Sequence, residues 1–312
     1  MSTLITGSFA YDTIMVFPDQ FKNHILPEQV HILNVCFLVP DMRKEFGGCS
    51  GNISYNLHLL GGEPVPMGTV GQDFTPYRNW LEKIGINHSH VKEIPNTYTA
   101  QAFITTDTDN NQITAFHPGA MNHAHQNKIS EATNIDIGIV APDGLDAMIE
   151  HAAQFADANI PFFFDPGQGL PMFDGDQLNR FIAQSNYVVV NDYESEMLID
   201  KTGKSLAQIA RQVEALIVTR GGDGCDIYAN DTQIHIAPIK ISGIKDPTGC
   251  GDAFRSGLLY GVANQWDWQS TGQLASVMGG IKIEHSGTQN HQPGKSDIES
   301  RYKENFATAI SL

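Results

Sequence analysis

The sequence predicts an α/β protein: a mainly parallel central sheet flanked by helices, with a small β-structured lid. Short apolar runs recur at residues 4–7, 137–141, 161–165, 187–190 and 216–219. Each is too short for a helix and nearly free of polar side chains, as strands covered on both faces are. Helical stretches at 144–158 and 206–215 stand directly before two of these runs, and strands alternating with helices make parallel sheets. Asp143, Asp165, Asn191 and Arg220 stand at or just past the carboxyl ends of the runs, where open parallel sheets gather ligands.

The first strand leads into Gly7-Ser8-Phe9-Ala10-Tyr11-Asp12. A dinucleotide-binding turn needs G-x-G-x-x-G, and this stretch has a single glycine. Residues 13–46 and 97–117 depart from the α/β rhythm, with short alternating strands expected at 31–39 and 99–106. Such strand pairs suit a lid or a dimer clasp. Between them the sequence predicts a helix at 52–60 and a loop-rich stretch at 61–71. Asp107-Thr108-Asp109-Asn110-Asn111 reads as a hairpin turn. Near the carboxyl end Phe254, Leu258, Leu259 and Val262 stand at i, i+4, i+5 and i+8, which is amphipathic helix spacing. No repeat or low-complexity tract divides the chain, so residues 1–312 read as one domain.

A chain of 312 residues can bury a sizeable core. It carries 35 acidic and 19 basic side chains, for a net charge of −16. That balance argues against nucleic-acid polymers and anionic membranes as partners. The first residues lack the basic region and apolar core of a secretion signal, and no apolar run reaches membrane-spanning length. Cys36, Cys49, Cys225 and Cys250 lack C-x-x-C spacing and indicate neither zinc nor a disulfide framework. The expected compartment is the cytoplasm. His88 with His90 and His123 with His125 lack a third ligand and read as surface residues. Trp266 and Trp268 read as packing residues.

The most informative stretch is Asp246-Pro247-Thr248-Gly249-Cys250-Gly251-Asp252-Ala253-Phe254. Two glycines stand directly before a helix, whose first turn leaves amides unpaired and carries partial positive charge. Glycines let those amides converge on an anion. Asp252 is then an acceptor beside an anion nest, an arrangement suited to phosphoryl transfer. A plain helix cap is the alternative. Glu45-Phe46-Gly47-Gly48-Cys49-Ser50-Gly51-Asn52 also precedes a helix; its glycines permit close backbone approach, and Asn52 offers a donor and an acceptor for hydroxyl groups.

These two stretches resemble the two signatures of the PfkB, or ribokinase-like, family of small-molecule kinases, in the family's order. The resemblance spans the chain and implies a ribokinase-like fold. It implies that Asp252 is the catalytic base and that the amides of Gly249, Cys250 and Gly251 form the anion hole. Pro247 and Cys250 depart from the family's usual residues. The same likeness assigns Ser8, Asp12, Gly47, Gly48 and Asn52 to substrate hydroxyls. Asn191-Asp192-Tyr193-Glu194 resembles the family's Asn-x-x-Glu motif, with Asn191 near the phosphates and Glu194 holding Mg²⁺ through water. Thr219-Arg220-Gly221-Gly222-Asp223-Gly224 resembles its nucleotide loop, so Thr219, Gly221 and Gly224 are expected at ATP. Arg255 is expected to neutralise phosphate or to be a solvated helix residue. Asn290 stands where the family packs against the ATP base, and Asp246 where it often binds K⁺.

The nucleoside branch of the family is the expected one. Residues after the central strand read Asp165-Pro166-Gly167-Gln168, where sugar-phosphorylating members commonly have Asp-Pro-Asn-x-Arg. Gly7 to Asp12 and Phe116-His117-Pro118-Gly119-Ala120 resemble the adenosine and nucleoside kinases. The expected reaction is ATP-dependent phosphorylation of the ribose 5′-hydroxyl of purine nucleosides. Asp143 is expected to accept a hydrogen bond from a purine N–H or to cap a helix before Gly144. Phe103 and Phe116 either enclose the base or form lid core. A homodimer through the lid is a further expectation. The alternatives are a sugar kinase of ribokinase or fructokinase type and a non-catalytic nucleoside-binding protein.

Overall fold

The computed structural model describes residues 1–109 and 111–312, with only the backbone at Val30. Asn110, in the expected hairpin turn, lies outside the described residues. In chain order the elements are β1 (Ser2–Thr6), β2 (Ala10–Val16), β3 (Asp41–Gly47), α1 (Cys49–Leu59), β4 (Glu63–Val70), α2 (Thr75–Ile84) and β5 (His90–Glu93). Next come β6 (Ala100–Thr106), β7 (Gln112–His117), β8 (Ile137–Val140), α3 (Leu145–Asp157), β9 (Phe162–Phe164) and α4 (Gly175–Gln184). They are followed by β10 (Tyr187–Asn191), α5 (Asp192–Thr202), α6 (Leu206–Ala210), β11 (Ala215–Thr219), β12 (Cys225–Ala229) and β13 (Thr232–Ile236). Helices α7 (Cys250–Ala263), α8 (Trp268–Ile283) and α9 (Lys295–Phe306) complete the chain.

The large sheet runs β13-β12-β11-β10-β9-β8-β1-β4-β5. It is parallel from β11 to β5, and β12 and β13 add an antiparallel edge. Alternating residues face opposite sides, as the strand period of two requires. Ile139, Phe163, Val189 and Ile217 join a core with Leu258 of α7 and Leu274 of α8. Val140, Phe164, Val190 and Val218 join the opposite core with Met148 of α3 and Leu198 of α5. Both faces are therefore covered, which explains why the strand runs lack polar residues.

The second sheet, β3-β2-β6-β7, forms the lid. Its β2–β6 pair is parallel and its β2–β3 and β6–β7 pairs are antiparallel. Phe9, Tyr11, Phe74, Tyr77 and Leu81 form a third core at its root. No helix among the described residues is long and apolar enough to cross a membrane.

Three expectations change. The strand expected at 31–39 is absent: a 3₁₀ turn spans Pro27–Ile32, and the next strand is β3. Phe37 instead packs on Phe17 and Phe21, with ring centroids 4.8 and 5.0 Å away, so a local aromatic cluster overrides the alternation. The loop-rich stretch 61–71 contains β4, whose Pro64 and Pro66 mask its strand character. Those prolines are tolerated because β5 pairs only with Met67–Val70, leaving one side of residues 63–66 without a neighbour. The helix expected at 206–215 stops at Ala210, and β11 begins at Ala215.

Candidate active site

Helix α7 starts at Gly249, whose φ of +79° is left-handed, and no side chain caps that end. Among the described residues the amides of Gly249, Gly251 and Asp252 have no hydrogen-bond partner, while Cys250 N–H donates to Pro247 O at 3.2 Å. Of the three amides expected to be free, those of Gly249 and Gly251 are; that of Cys250 closes the preceding turn, and that of Asp252 is free instead. Convergent free amides at a helix start form an anion site.

Asp252 is half-buried beside this nest, and its Oδ2 accepts a hydrogen bond from Asn52 Nδ2 at 2.8 Å. Burial raises its pKa to about 6; Asn52 and Arg255 oppose that rise, while Asp165 adds to it. A base titrating near the working pH can both take and release a proton efficiently.

Ser8, Asp12, Gly47 and Gly48, expected on the substrate side, stand together at the lid root. Asp12 in β2 is pushed up to about 6 by burial, then by Asp246 and Glu45. A Cβ on Gly47 would stand 2.6 Å from Asp12 Oδ2, so glycine is required for that carboxylate to lie there. Gly48, at φ +86°, passes so close to Ser8 O and Phe9 Cα that no side chain fits. Ser8 Oγ accepts from Cys49 N–H at 3.2 Å and so ties β1 to α1. Asp143 lies past the end of β8, between the strand ends of β1 and β9. Its Oδ1 accepts from Gly144 N–H, and its buried Oδ2 has no partner. Burial raises Asp143 to about 8, against the pull of that amide.

On the other side, Asn191 and Thr219 are register neighbours at the ends of β10 and β11. Asn191 Oδ1 accepts from Glu194 N–H and Glu194 Oε2 from Asn191 N–H, a capping box on α5. Gly221, at φ +53°, and Gly222 have open space where a Cβ would stand; Gly224, at φ +86°, packs on Ile236 O. Asn290 Nδ2 donates to Glu45 Oε2 and Ser286 O, tying the carboxyl-terminal loop to the lid root. Arg255 is corrected. It is buried and paired with Asp165 by Nε and Nη2 at 2.8 and 2.9 Å, so it is neither a solvated residue nor a free phosphate ligand.

A model of the pfkB family of carbohydrate kinases matches residues 17–295. The chain belongs to the pfkB family. A nucleoside kinase of Burkholderia thailandensis, solved with inosine, is 50% identical; the match covers 98% of this chain and 99% of that one at a TM-score of 0.90. The same enzyme in complex with ADP-inosine is 51% identical, covering 99% and 97%, with a TM-score of 0.88. A nucleoside kinase of Methanocaldococcus jannaschii is 31% identical over 270 residues, 86% of this chain and 89% of that protein. As a pfkB family member the chain is a phosphotransferase with an alcohol group as acceptor, and its fold is ribokinase-like.

The two cations associated with the pfkB family fare differently. Glu194 is a buried carboxylate with one oxygen taken by the cap, its pKa raised by burial and by Asp165. Among the described residues no group of three or more His, Cys, Asp or Glu forms a metal cage. Mg²⁺ keeps several waters and binds through one or two carboxylates plus substrate phosphates, so the donor set fits it. K⁺ does not fit at Asp246. The Asp246 carboxylate accepts from Thr248 and Gly287 amides, both at 3.0 Å. The ammonium of Lys282, a residue with 0% exposure, donates to Asp246 O at 2.7 Å and His285 O at 3.2 Å. A tethered cation already holds those carbonyls.

Sequence reasoning missed Lys282, Gln289, Tyr77 and Trp80. A lone lysine inside the apolar Gly280-Ile281-Lys282-Ile283 run was a usable signal, because a buried ammonium must be paired. The others form part of the site only through contacts distant in sequence.

Proposed function

We propose that this protein transfers the terminal phosphoryl group of ATP to the ribose 5′-hydroxyl of purine nucleosides. The observation that carries the reading is Asp252, desolvated and titrating near 6, beside the free amides of Gly249, Gly251 and itself. Asp252 takes the hydroxyl proton while the amides stabilise charge gathering on the phosphoryl oxygens. Likeness to an enzyme solved with inosine and with ADP-inosine supports a nucleoside over a free sugar.

The nucleoside lies between the large sheet and the lid, residues 13–46 and 97–117 of a single domain. Asp12 accepts from ribose hydroxyls, Asn52 donates its second N–H, and Ser8, Gly47 and Gly48 shape the backbone around the sugar. Protonated near neutral pH, Asp143 offers an O–H to the base. Phe116, 53% exposed and on the Asp12 face of the lid sheet, covers the base when the lid closes and excludes water; Phe103 stands on the opposite face. ATP lies along Asn191, Thr219, Gly221, Gly224 and Asn290, and Glu194 holds Mg²⁺ through water; the ion supplies charge neutralisation between the phosphates. A second copy of the chain covers the side chains exposed on the other face of the lid sheet, Met42, Phe103 and Ile113. The place of action is the cytoplasm.

The deciding experiment compares kcat/KM with ATP and Mg²⁺ for adenosine, inosine, guanosine, ribose and fructose. We expect a purine nucleoside to lead, because a sugar forgoes base burial worth roughly 25 cal/mol per Å². A higher ratio for ribose or fructose overturns the nucleoside assignment. Sedimentation at micromolar concentration tests the dimer, and a monomer refutes it.

A further inference from the structure

We propose that Gln289, braced by Trp80, is a positioning residue that turns the Asn52 amide so that its N–H, rather than its carbonyl, meets Asp252. The proposal rests on the reading of Asp252 as the base. A side-chain amide has two ends of nearly equal shape, one a donor and one an acceptor. Turned the wrong way, Asn52 would press its oxygen on the Asp252 carboxylate.

A chain of buried hydrogen bonds excludes that orientation. The indole N–H of Trp80 is a donor only, and it donates to Gln289 Oε1 at 2.9 Å. Gln289 therefore presents its Nε2 on the opposite side, donating to Asn52 Oδ1 at 3.0 Å and to the Tyr77 hydroxyl at 2.6 Å. The hydroxyl, having accepted, donates to Gly47 O at 2.9 Å. With its Oδ1 committed to Gln289, Asn52 turns Nδ2 to Asp252 Oδ2 at 2.8 Å. Asn56 Nδ2 holds the Asn52 backbone carbonyl at 2.8 Å. Gln289 and Asn52 are both almost fully buried, so water cannot substitute for a lost partner.

The glycine before Asn52 serves the same network. A Cβ on Gly51 would stand 1.9 Å from the Tyr77 hydroxyl oxygen and 3.3 Å from Gln289 Nε2. Only glycine leaves room for the junction of Tyr77, Gln289 and Asn52.

A hydrogen bond donated to a carboxylate favours its charged form. Asn52 therefore counteracts the burial that raises Asp252. The other titratable or charged groups facing Asp252 are Arg255 and Cys250 on α7, Asp165 past β9, Cys49 on α1, Lys282 on α8 and Tyr77 on α2. Of these the Cys49 thiol alone also hydrogen-bonds the carboxylate. Asn52 is thus its main neutral donor, and the relay fixes that donor.

The test is the pH dependence of kcat/KM in Gln289→Leu, with Asp252→Asn assayed beside it. The acid limb should move up by about one pH unit, the size expected for one lost hydrogen bond to a charged group. Activity at pH 6 should fall about fivefold and at pH 8.5 by less than about threefold, once Asp252 is ionised regardless. A folded variant with an unmoved limb, or with equal loss at every pH, overturns the proposal. If Gln289→Leu does not fold, Trp80→Phe decides: it keeps a ring against Phe46 and loses only the N–H. The same acid-side shift supports the relay, and a wild-type profile refutes it. Turnover retained by Asp252→Asn would refute the base itself, a distinct result.

Discussion

Arg255 and Asp165 lock together across the end of the sheet: two hydrogen bonds of 2.8 and 2.9 Å join side chains that are both nearly inaccessible to water. The pair links the first turns of α7 to the end of β9 and spends the arginine's charge inside the protein. Asp165→Ala would strand a buried guanidinium, and breaking such a pair costs about 3–5 kcal/mol. We expect urea unfolding to show a loss of unfolding free energy of that order. A change under about 1 kcal/mol would mean that the pair is solvated in solution.

Asp252→Asn should abolish turnover while nucleoside binding persists. Losing a general base costs about 10² to 10⁴ in rate. Calorimetry with inosine and an ATP-coupled assay on the same preparation separate the two properties. Near wild-type turnover would reduce Asp252 to a residue of the helix start.

Lys282 makes a monovalent cation unnecessary at Asp246. Replacing KCl by NaCl at constant ionic strength should leave kcat unchanged within about 20%, too small to register as a free-energy change. Lys282→Met leaves the Asp246 and His285 carbonyls without their donor, a loss of about 1–3 kcal/mol. A fall in thermal midpoint measures it. Strong K⁺ activation of the unaltered enzyme would contradict the tethered-cation reading.

Asp143 makes stability depend on pH. Its folded pKa of about 8 stands above the ordinary 3.8 because burial disfavours the charge. Its contribution is therefore complete below about 3.8, falls steadily as the pH rises and is fully lost once the pH has passed about 8. Asp143→Asn keeps the acceptor for Gly144 N–H and cannot ionise. Its advantage over the wild type should grow from pH 4 to pH 8 and reach roughly 5 °C at pH 9. Equal midpoints at pH 9 would show that the carboxyl is hydrated.

If Asp12 and Asn52 pair with ribose hydroxyls, 2′-deoxynucleosides should be poor acceptors. A site built to bond a hydroxyl leaves buried groups unpaired when it is missing. A loss of roughly tenfold or more in kcat/KM is expected for 2′-deoxyadenosine against adenosine. Equal ratios would remove both residues from the sugar.

Local chemistry made much of the protein legible from its chain. The strands at 137–141, 161–165, 187–190 and 216–219 appear within one or two residues of the expected places, because a strand buried on both faces must be apolar throughout. The start of α7 was equally readable, since glycines and a carboxylate before a helix can do few things. What failed depended on distant partners. Residues 31–39 alternate like a strand, yet Phe37 finds Phe17 and Phe21 instead. Pro64 and Pro66 disguise a strand that an absent neighbour permits. Arg255 gave no sign of Asp165, nor Asn52 of Gln289, because those pairs are separated by 90 and 237 residues and meet only once the sheet and lid have packed. Sequence alone determined which groups could do chemistry. The tertiary structure decided which way they face, because a buried hydrogen bond is set by the partner that folding brings to it.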